Sequence, residues 1–429
     1  MLVLVSKMFN KLKLFKKKIS KSKDGKSLAS NFSYLMIMQI AGYIFPLLTI
    51  PYLARVIGVE GFGKIAFAAA VIVWFQTITD WGFSYTATRD IARNKDDLNK
   101  VSEIFSNVLW SKILLASISF LILITLTETI TYLKDNQLLL FITFMLVPGR
   151  ILFADWFFQA MEKMKFITIF DLISKIIFST LIFIFIKEKN DFILQPLLLS
   201  FGSFFVGIVA FYIILFKWKV KIFLPNLKKI VSTIKNSKDV FINNILPNFY
   251  HSFSCVLLGF WGGSMANGLL DAGSRFAYTT QQLTGIISRV FFPYLARYPD
   301  KHSIYAKINI SISILAAILL ILLAPFIIKI FFTPEFYPAI IILQIIAFSL
   351  IFLALINTYG MNYMVIEGHE KALRNISLMC SLIGFLIAFP LVYFYNVLGA
   401  AIVIALTRAI LGVSILYKVK NIQRSQLAK

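Results

Sequence analysis

Apolar residues run in long stretches along the chain, and short polar segments separate these stretches. A helix of about 20 mostly apolar residues crosses the hydrocarbon core of a bilayer, which is about 30 Å thick. Stretches of this kind lie at 31–54, 64–86, 105–128, 137–159, 166–186, 192–216, 239–261, 267–294, 306–332, 337–358, 375–394 and 398–417. The pattern predicts an all-α membrane protein of about 12 transmembrane helices.

A basic loop at residues 217–238 divides these spans into two sets of six. We predict an N-terminal six-helix lobe over 30–216, a basic cytoplasmic linker over 217–238 and a C-terminal six-helix lobe over 239–417. A basic cytoplasmic arm over 1–29 and a cytoplasmic tail over 418–429 flank them. Because six is even, both lobes enter the membrane from the same side and can be parallel repeats, offset by about 205 residues.

Lysine and arginine residues are distributed unevenly between alternate segments. Of 43 such residues, 31 lie on the segments of one side, 6 on the opposite side and 6 within the spans. Basic residues accumulate on the cytoplasmic side of membrane proteins, so we predict that both termini are cytoplasmic. The same bias explains the net charge of +23 without a nucleic-acid partner.

The first 29 residues include nine lysines between Lys7 and Lys26. Charge comes after a short apolar start here, which is the reverse of the order in a secretory signal. Two interpretations remain open for this arm. It either lies on membrane lipids with anionic headgroups or is a disordered tail that follows the charge bias.

Polar residues follow one face of spans 1, 2, 7 and 8, the first two spans of each predicted lobe. The stripes consist of Gln39 and Tyr43 on span 1; Gln76, Asp80 and Ser84 on span 2; Asn244, Asn248, His251 and Cys255 on span 7; and Asp271, Arg275, Tyr278, Gln282 and Arg289 on span 8. Polar groups in a bilayer usually face a cavity or another helix. We therefore predict one central cavity shared by the two lobes.

Several of these intramembrane charges also have a purely structural interpretation. Asp271 can neutralise Arg275, and Asp171 can neutralise Lys175, since each pair is one helical turn apart. Arg150 and Asp155 can form a packing pair. Arg408 is a lone cation in span 12, which favours function over structure. Lys112 lies near the end of its predicted span, where a lysine extends its ammonium group to the interface.

No catalytic motif is present in the sequence. It has no phosphate-binding glycine loop, no nucleophile elbow and no paired-histidine motif. Cys255 and Cys380 both lie in apolar stretches, so neither a disulfide framework nor a metal cluster is predicted. We expect a protein that is not an enzyme, needs no cofactor or metal and hydrolyses no ATP.

Several stretches resemble the bacterial polysaccharide flippases of the Wzx type, within the multidrug/oligosaccharidyl-lipid/polysaccharide exporter superfamily. They are PYLARVIG at 51–58, EGFG at 60–63, DWGF at 80–83, DWFFQAME at 155–162 and the stretch from Asn267-Gly268 to Phe276. The resemblance implies two six-helix lobes that face each other across a central cavity. It also implies a location in the bacterial cytoplasmic membrane.

The resemblance further implies a cargo, an undecaprenyl-pyrophosphate-linked oligosaccharide that is turned from the inner to the outer leaflet by alternating access. Arginine suits pyrophosphate oxygens because its guanidinium donates two hydrogen bonds side by side. The candidate pyrophosphate ligands are Arg275, Arg289, Arg150 and Arg408, and the candidate sugar ligands are Gln39, Tyr43, Gln76, Asn248 and Gln282. Asp80 and Asp271 are the candidates for coupling to H⁺ or Na⁺. Partners can include other membrane proteins of polysaccharide assembly.

Two alternatives differ from this hypothesis in their chemistry. A cation-coupled drug exporter of the same fold needs an acidic cavity, whereas the spans hold six basic residues against Asp80, Asp155, Asp171 and Asp271. A membrane glycan polymerase usually carries a large external loop, and no loop here is long enough. The sequence therefore favours an anionic cargo.

Overall fold

The structure, a computed structural model, describes the backbone of residues 23–427 and the side chains of 34–425 apart from Leu35, Tyr43 and Pro293. The described chain is helical and contains no strand. Its α-helices are α1 Lys23–Asp80, α2 Phe83–Arg93, α3 Leu98–Thr129, α4 Thr131–Asp135, α5 Gln137–Phe144, α6 Leu146–Leu152, α7 Asp155–Ala160, α8 Met164–Phe185, α9 Leu194–Tyr212, α10 Leu227–Asn236, α11 Lys238–Ile245, α12 Ser252–Arg297, α13 His302–Phe331, α14 Ala339–Phe348, α15 Leu350–Leu355 and α16 Glu370–Leu427. Residues 1–22 of the predicted basic arm lie outside the described residues.

Nine helical segments of the described chain are long and apolar enough to cross a membrane, which confirms an all-α membrane protein. Three of them, Met36–Arg93, Lys238–Arg297 and Glu370–Ser425, contain 58, 60 and 56 residues. A straight helix of 56 residues would be about 84 Å long, far more than the bilayer core of about 30 Å. Each therefore holds more than one crossing, and the number of twelve spans stays a prediction.

Single residues with non-helical backbone angles divide these long segments. Gly58 has φ 66° and Gly263 has φ 76°, a left-handed conformation that glycine adopts without a steric penalty. They lie 205 positions apart, the offset expected between the two halves of the chain. In the third segment Asn396 has φ 50°, which asparagine tolerates better than most residues.

The helices that follow the two glycine kinks cross with their backbones in contact. A Cβ atom on Gly63 would lie 1.6 Å from the carbonyl oxygen of Ser264, and one on Gly268 would lie 2.1 Å from that of Val59. The contact is reciprocal. Gly63 faces Ser264, which directly follows the kink at Gly263, and Gly268 faces Val59, which directly follows the kink at Gly58. Small residues at a crossing allow transmembrane backbones to approach this closely. Helices α1 and α12 accordingly make the most extensive helix contact in the described chain.

Aromatic side chains from both halves of the chain surround this glycine crossing. Phe62 packs edge-on against Phe332, with ring centroids 6.0 Å apart. Phe67 packs edge-on against Tyr132 and Phe260, at 5.1 and 6.0 Å. Such pairs add about 0.5–1.5 kcal/mol each beyond the burial of their surface. The crossing is thus sealed by apolar contacts on both sides.

A second aromatic cluster forms the core of the N-terminal half. Phe157 is fully buried between Phe105 and Trp218, with ring centroids 5.6 and 5.1 Å away. Phe158 contacts the same tryptophan at 5.8 Å. The aromatic residues of the DWFFQAME stretch therefore pack the protein interior, whereas its first residue, Asp155, lines a charged cavity.

The predicted linker and the start of the predicted C-terminal lobe both pack on the N-terminal half. The Trp81 ring stacks on Phe241 of α11 at 3.8 Å, and its Nε1 donates a hydrogen bond to the Ile234 carbonyl of α10 at 2.9 Å. The hydroxyls of Thr86 and Ser237 are also hydrogen-bonded, at 2.8 Å. Helix α11 is thus joined to the N-terminal half, although all but its first residue belong to the predicted C-terminal lobe, which starts at residue 239.

The glycine crossing makes a prediction about stability. In Gly63→Ala the new Cβ must displace the Ser264 backbone, and overpacking of this kind costs about 1–3 kcal/mol. We expect a lower thermal unfolding midpoint for this variant in detergent. The matched control is Gly285→Ala, whose Cβ meets no atom within 4 Å and should leave the midpoint nearly unchanged. Equal midpoints for the two variants would show that the crossing is not closed in solution.

Candidate functional site

A polar cavity of about 650 Å³ opens among the helices of the N-terminal half. Its wall comes from the part of α1 after Gly58, from α2, α3 and α6 to α9, and from α11. Its polar and charged lining consists of Gln76, Thr77, Thr79, Asp80, Ser84, Lys112, Arg150, Asp155, Asp171, Ser174, Lys175, Ser203 and Asn244. Three basic and three acidic side chains thus share one space within membrane-spanning helices. The cavity belongs mainly to the N-terminal half and meets residues beyond the linker at Asn244.

Asp80 and Lys112 form an ion pair in this cavity. The Lys112 Nζ donates to the Asp80 Oδ1 at 2.9 Å, and the Ser84 hydroxyl donates to the same oxygen at 2.7 Å. The Lys112 side chain is only 8% exposed. The prediction that Lys112 reaches the membrane interface is wrong. This lysine is buried inside α3, where its ammonium group would be costly without a partner, and Asp80 provides that partner.

Lys175 and Asp171 form the second ion pair of the cavity. They lie one turn apart on α8, so the helix itself brings them together, as their spacing indicated. Two of the three basic side chains of the cavity are therefore neutralised by two of its three carboxylates.

Arg150 and Asp155 are the remaining charges. Among the described side chains, neither has an oppositely charged partner within 4.0 Å, so the packing pair considered for them is not formed. The Asp155 Oδ1 accepts a hydrogen bond from the backbone N–H of Trp156 at 2.8 Å. Both charged groups line the cavity, where Arg150 has N–H donors that no described residue engages and that a ligand can reach.

The predicted amide ligands are divided between the cavity and the contact of the two halves. Gln76 lines the cavity. Asn248 donates to the Thr77 hydroxyl at 3.0 Å, which links it to the cavity wall. The Gln39 side-chain amide donates to the side-chain Oε1 of Gln282 at 3.0 Å, so this pair joins α1 to α12. The side chain of Tyr43 lies outside the described residues.

Arg275 lies near the glycine crossing and is paired. Its guanidinium contacts the Asp271 carboxylate at 2.6 Å and lies over the ring of Phe62, 4.8 Å from the centroid. Asp271 and Arg275 therefore neutralise each other, and neither lines the cavity of the N-terminal half. The cation–π contact with Phe62 adds a link between the halves.

The other two predicted arginines also lie away from the cavity lining. Arg408 is 3% exposed and donates to the Ser349 hydroxyl at 2.9 Å and to the side-chain Oε1 of Gln281 at 2.8 Å. Arg289 is exposed on α12 and has no carboxylate within 4.0 Å among the described residues. The structure thus brings together Gln76, Asp80 and Arg150 from the predicted site, and Asn248 is hydrogen-bonded to the cavity wall. The other predicted residues whose side chains the structure describes lie outside the cavity lining.

Sequence reasoning missed Lys112, Asp155, Asp171 and Lys175 as members of one cavity, whereas Asn244 belonged to the polar stripe predicted on span 7. The sequence did contain a signal for Lys112. A lysine inside a transmembrane span needs a nearby acidic residue, and Asp80 lies in the preceding span. The convergence of α3 and α8 on one cavity depends on tertiary packing, which no periodicity in the sequence reveals.

Membrane-crossing helices around a charged internal cavity define the chain as a multi-pass membrane protein of the transporter class. Within this class, the chain belongs to the family of polysaccharide biosynthesis proteins, whose sequence model matches residues 28–299. The match covers more than half of the chain.

Two similar relatives extend the comparison over almost the whole length. The "Putative O-antigen transporter" of Escherichia coli (strain K12) is 28% identical over 406 residues, which cover 92% of this chain and 97% of the relative. The protein of the same description from Shigella dysenteriae is 28% identical over 401 residues, which cover 92% of this chain and 100% of the relative.

Solved structures show the same fold. "Lipid II flippase MurJ, inward closed conformation" superposes with a TM-score of 0.74 at 16% identity, over 90% of this chain and 87% of that one. A structure of the MATE multidrug transporter DinF-BH has a TM-score of 0.58 at 15% identity, over 92% of this chain and 95% of that one. These identities support a shared fold alone.

The Asp80–Lys112 pair can be tested by a double-mutant cycle. Asp80→Asn leaves Lys112 buried without a carboxylate, and breaking one side of a buried pair costs up to about 3–5 kcal/mol. We expect each of Asp80→Asn and Lys112→Met to reduce the folded fraction of a fluorescent fusion after heating. The double variant should recover most of that loss, because no unpaired charge remains. Losses that simply add in the double variant would refute the pairing.

Proposed function

We propose that the chain is a flippase that moves undecaprenyl-pyrophosphate-linked oligosaccharide repeat units across the bacterial cytoplasmic membrane, in O-antigen or capsule biosynthesis. Membership of the polysaccharide biosynthesis family supports this function, and so do the two relatives described as O-antigen transporters. The MurJ fold is compatible with a lipid-linked cargo.

The polar lining of the cavity carries the proposal. Sites for drug-sized molecules are lined mainly by apolar and aromatic side chains. This cavity presents amides, hydroxyls and charged groups, which are the partners that sugar hydroxyls require. Its volume of about 650 Å³ can hold part of a glycan headgroup while the lipid tail stays in the bilayer. Such a lining favours a glycan over a lipophilic drug.

Arg150 is our candidate for the pyrophosphate contact. It is the basic side chain of the cavity that no described carboxylate neutralises, so its guanidinium can pair with a phosphate oxygen. Arg275 is already paired with Asp271, whereas Arg408 is buried in the C-terminal half, where two of its nitrogens donate hydrogen bonds and its Nε has no partner among the described residues. We assign these two arginines to helix packing, and we keep Arg289 as a second, exposed contact.

Alternating access would expose the cavity to each leaflet in turn as the halves move about the glycine crossing. Asp80 and Asp271 remain the proposed carboxylates for H⁺ or Na⁺ coupling. Both are ion-paired, so binding of a cation would release Lys112 or Arg275 from its partner. The folded Asp80→Asn, Lys112→Met double variant separates coupling from stability, because a coupling role requires it to be stable and inactive.

Substitution of Arg150 tests both the site and the cargo. A hydrogen bond to a charged group contributes about 1.5–3 kcal/mol, so Arg150→Ala should weaken headgroup binding by about tenfold or more. We expect lost surface glycan in a flippase-deletion strain that the unmodified chain complements. Arg150→Lys should retain part of the display, since it keeps the charge and loses the two-pronged geometry.

The control for this experiment is Arg424→Ala, at an exposed site near the end of α16 and outside the cavity. It should display as much glycan as the unmodified chain.

A panel of deletion strains with known glycans identifies the cargo. Full display by Arg150→Ala would exclude the assigned role of this residue. Drug resistance without complementation of any strain would favour the exporter alternative.

We further propose that both termini and residues 217–238 face the cytoplasm of a bacterium. Single cysteines at Ser232 and Asp135, in a chain with Cys255→Ala and Cys380→Ala, should label oppositely with an impermeant maleimide. Asp135→Cys should react in intact cells, and Ser232→Cys should react only after lysis. Labelling of Ser232→Cys from outside would reverse the orientation.

A further inference from the structure

Residues 217–238, called here the linker segment, have one face fixed to the protein. The backbone N–H groups of Lys221 and Phe223 donate to the hydroxyls of Ser102 and Ser106 at 3.0 and 2.9 Å. The indole Nε1 of Trp110 donates to the Phe223 carbonyl at 2.9 Å. These bonds hold an extended strip of backbone along the side of α3 and fix the orientation of the rest of the segment.

The other face of the linker segment exposes an apolar edge. Leu224, Leu227 and Val231 are 90%, 71% and 60% exposed. Leu227 and Val231 lie one turn apart on α10, so they share one side of the helix. Ile230, on the adjoining side, is buried against the N-terminal half. The apolar stripe of α10 is therefore wider than the protein surface that covers it.

The charge of the linker segment is uniformly positive. It holds seven lysines and no acidic residue. Lys229 pairs with the Glu103 carboxylate at 2.8 Å. None of the other six lysines has a carboxylate within 4.0 Å among the described residues. Lys228 and Lys235 flank the apolar edge, the first directly after Leu227 and the second one turn beyond Val231. Basic residues beside an exposed apolar edge suit a negatively charged, partly apolar surface.

The position of the linker segment in the chain limits where that surface can be. Lys217 ends one membrane-crossing segment and Lys238 begins another, so the linker segment lies at a membrane surface. The irregular backbone of residues 219–226 cannot enter hydrocarbon, because its polar groups that are not hydrogen-bonded to α3 would lack partners there. The apolar edge is therefore held at the level of the lipid headgroups.

We propose that the linker segment docks on anionic phospholipids. Leu224, Leu227 and Val231 enter the boundary between headgroups and acyl chains, and Lys228 and Lys235 contact lipid phosphates. The docked surface belongs to the bilayer itself and is distinct from the cavity and its cargo. Its lipid contacts anchor the N-terminal half, to which α3 ties the segment.

An environment-sensitive fluorophore tests this docking in the full-length protein. In the chain with Cys255→Ala and Cys380→Ala, the fluorophore NBD is attached at Leu227→Cys or at Val231→Cys. The control is Ser232→Cys, which is also exposed but lies next to the apolar edge on the polar side of α10. Each labelled protein is reconstituted in vesicles of phosphatidylcholine alone or of phosphatidylcholine with phosphatidylglycerol.

Docking predicts a blue-shifted NBD emission at positions 227 and 231 in vesicles with phosphatidylglycerol, and quenching by lipids with a nitroxide near the headgroup. The shift should be smaller in phosphatidylcholine alone and after Lys228→Gln with Lys235→Gln. Position 232 should give a water-like emission throughout. A water-like emission at both edge positions would overturn the proposal and leave a protein partner as the occupant of this edge. An equal shift in both lipids would overturn the role of anionic headgroups.

Discussion

Two transmembrane backbones in direct contact are the constraint on which the arrangement of this molecule depends. At Gly63 and Gly268 no side chain separates α1 from α12. A contact of this kind cannot adapt by changing rotamers, so any movement there displaces whole helices. The kinks at Gly58 and Gly263 set the start of both crossing helices, and four glycines thus act as one unit. The two halves are fixed to each other at this point.

Charge pairing explains how a membrane protein can hold six charged side chains in one cavity. Each isolated charge in such a place would be strongly destabilising, whereas a close pair recovers much of the lost hydration. Lys112 with Asp80, and Lys175 with Asp171, remove most of that cost. The cavity can therefore keep a polar lining inside the membrane-spanning helices. Arg150 and Asp155 then remain as the charges of the cavity without an oppositely charged partner among the described residues.

The sequence was sufficient for the fold class and for part of the site, and the reason for each failure is local. Apolar periodicity found the spans because a bilayer imposes their length. Polar stripes found Gln76 and Asp80, since both lie well inside one span. Lys112 was misjudged because the apolar pattern began its span at residue 105, whereas α3 begins at Leu98. This difference moved the lysine from the interior of a helix to its apparent end. The glycine crossing needs contacts between residues about 200 positions apart, which no local pattern contains.

The two ends of the contact between the halves differ in chemistry, and this difference bears on how the halves can separate. Gln39 and Gln282 meet through one amide hydrogen bond, about 21 Å along α12 from Gly268 at about 1.5 Å per residue. Such a bond contributes about 1 kcal/mol net, and water can replace it during movement. The glycine end offers water nothing to replace, because backbone contact and aromatic packing exclude it. Separation of the halves is therefore easier at the amide end than at the glycine end, where backbone contact and aromatic packing hold them together.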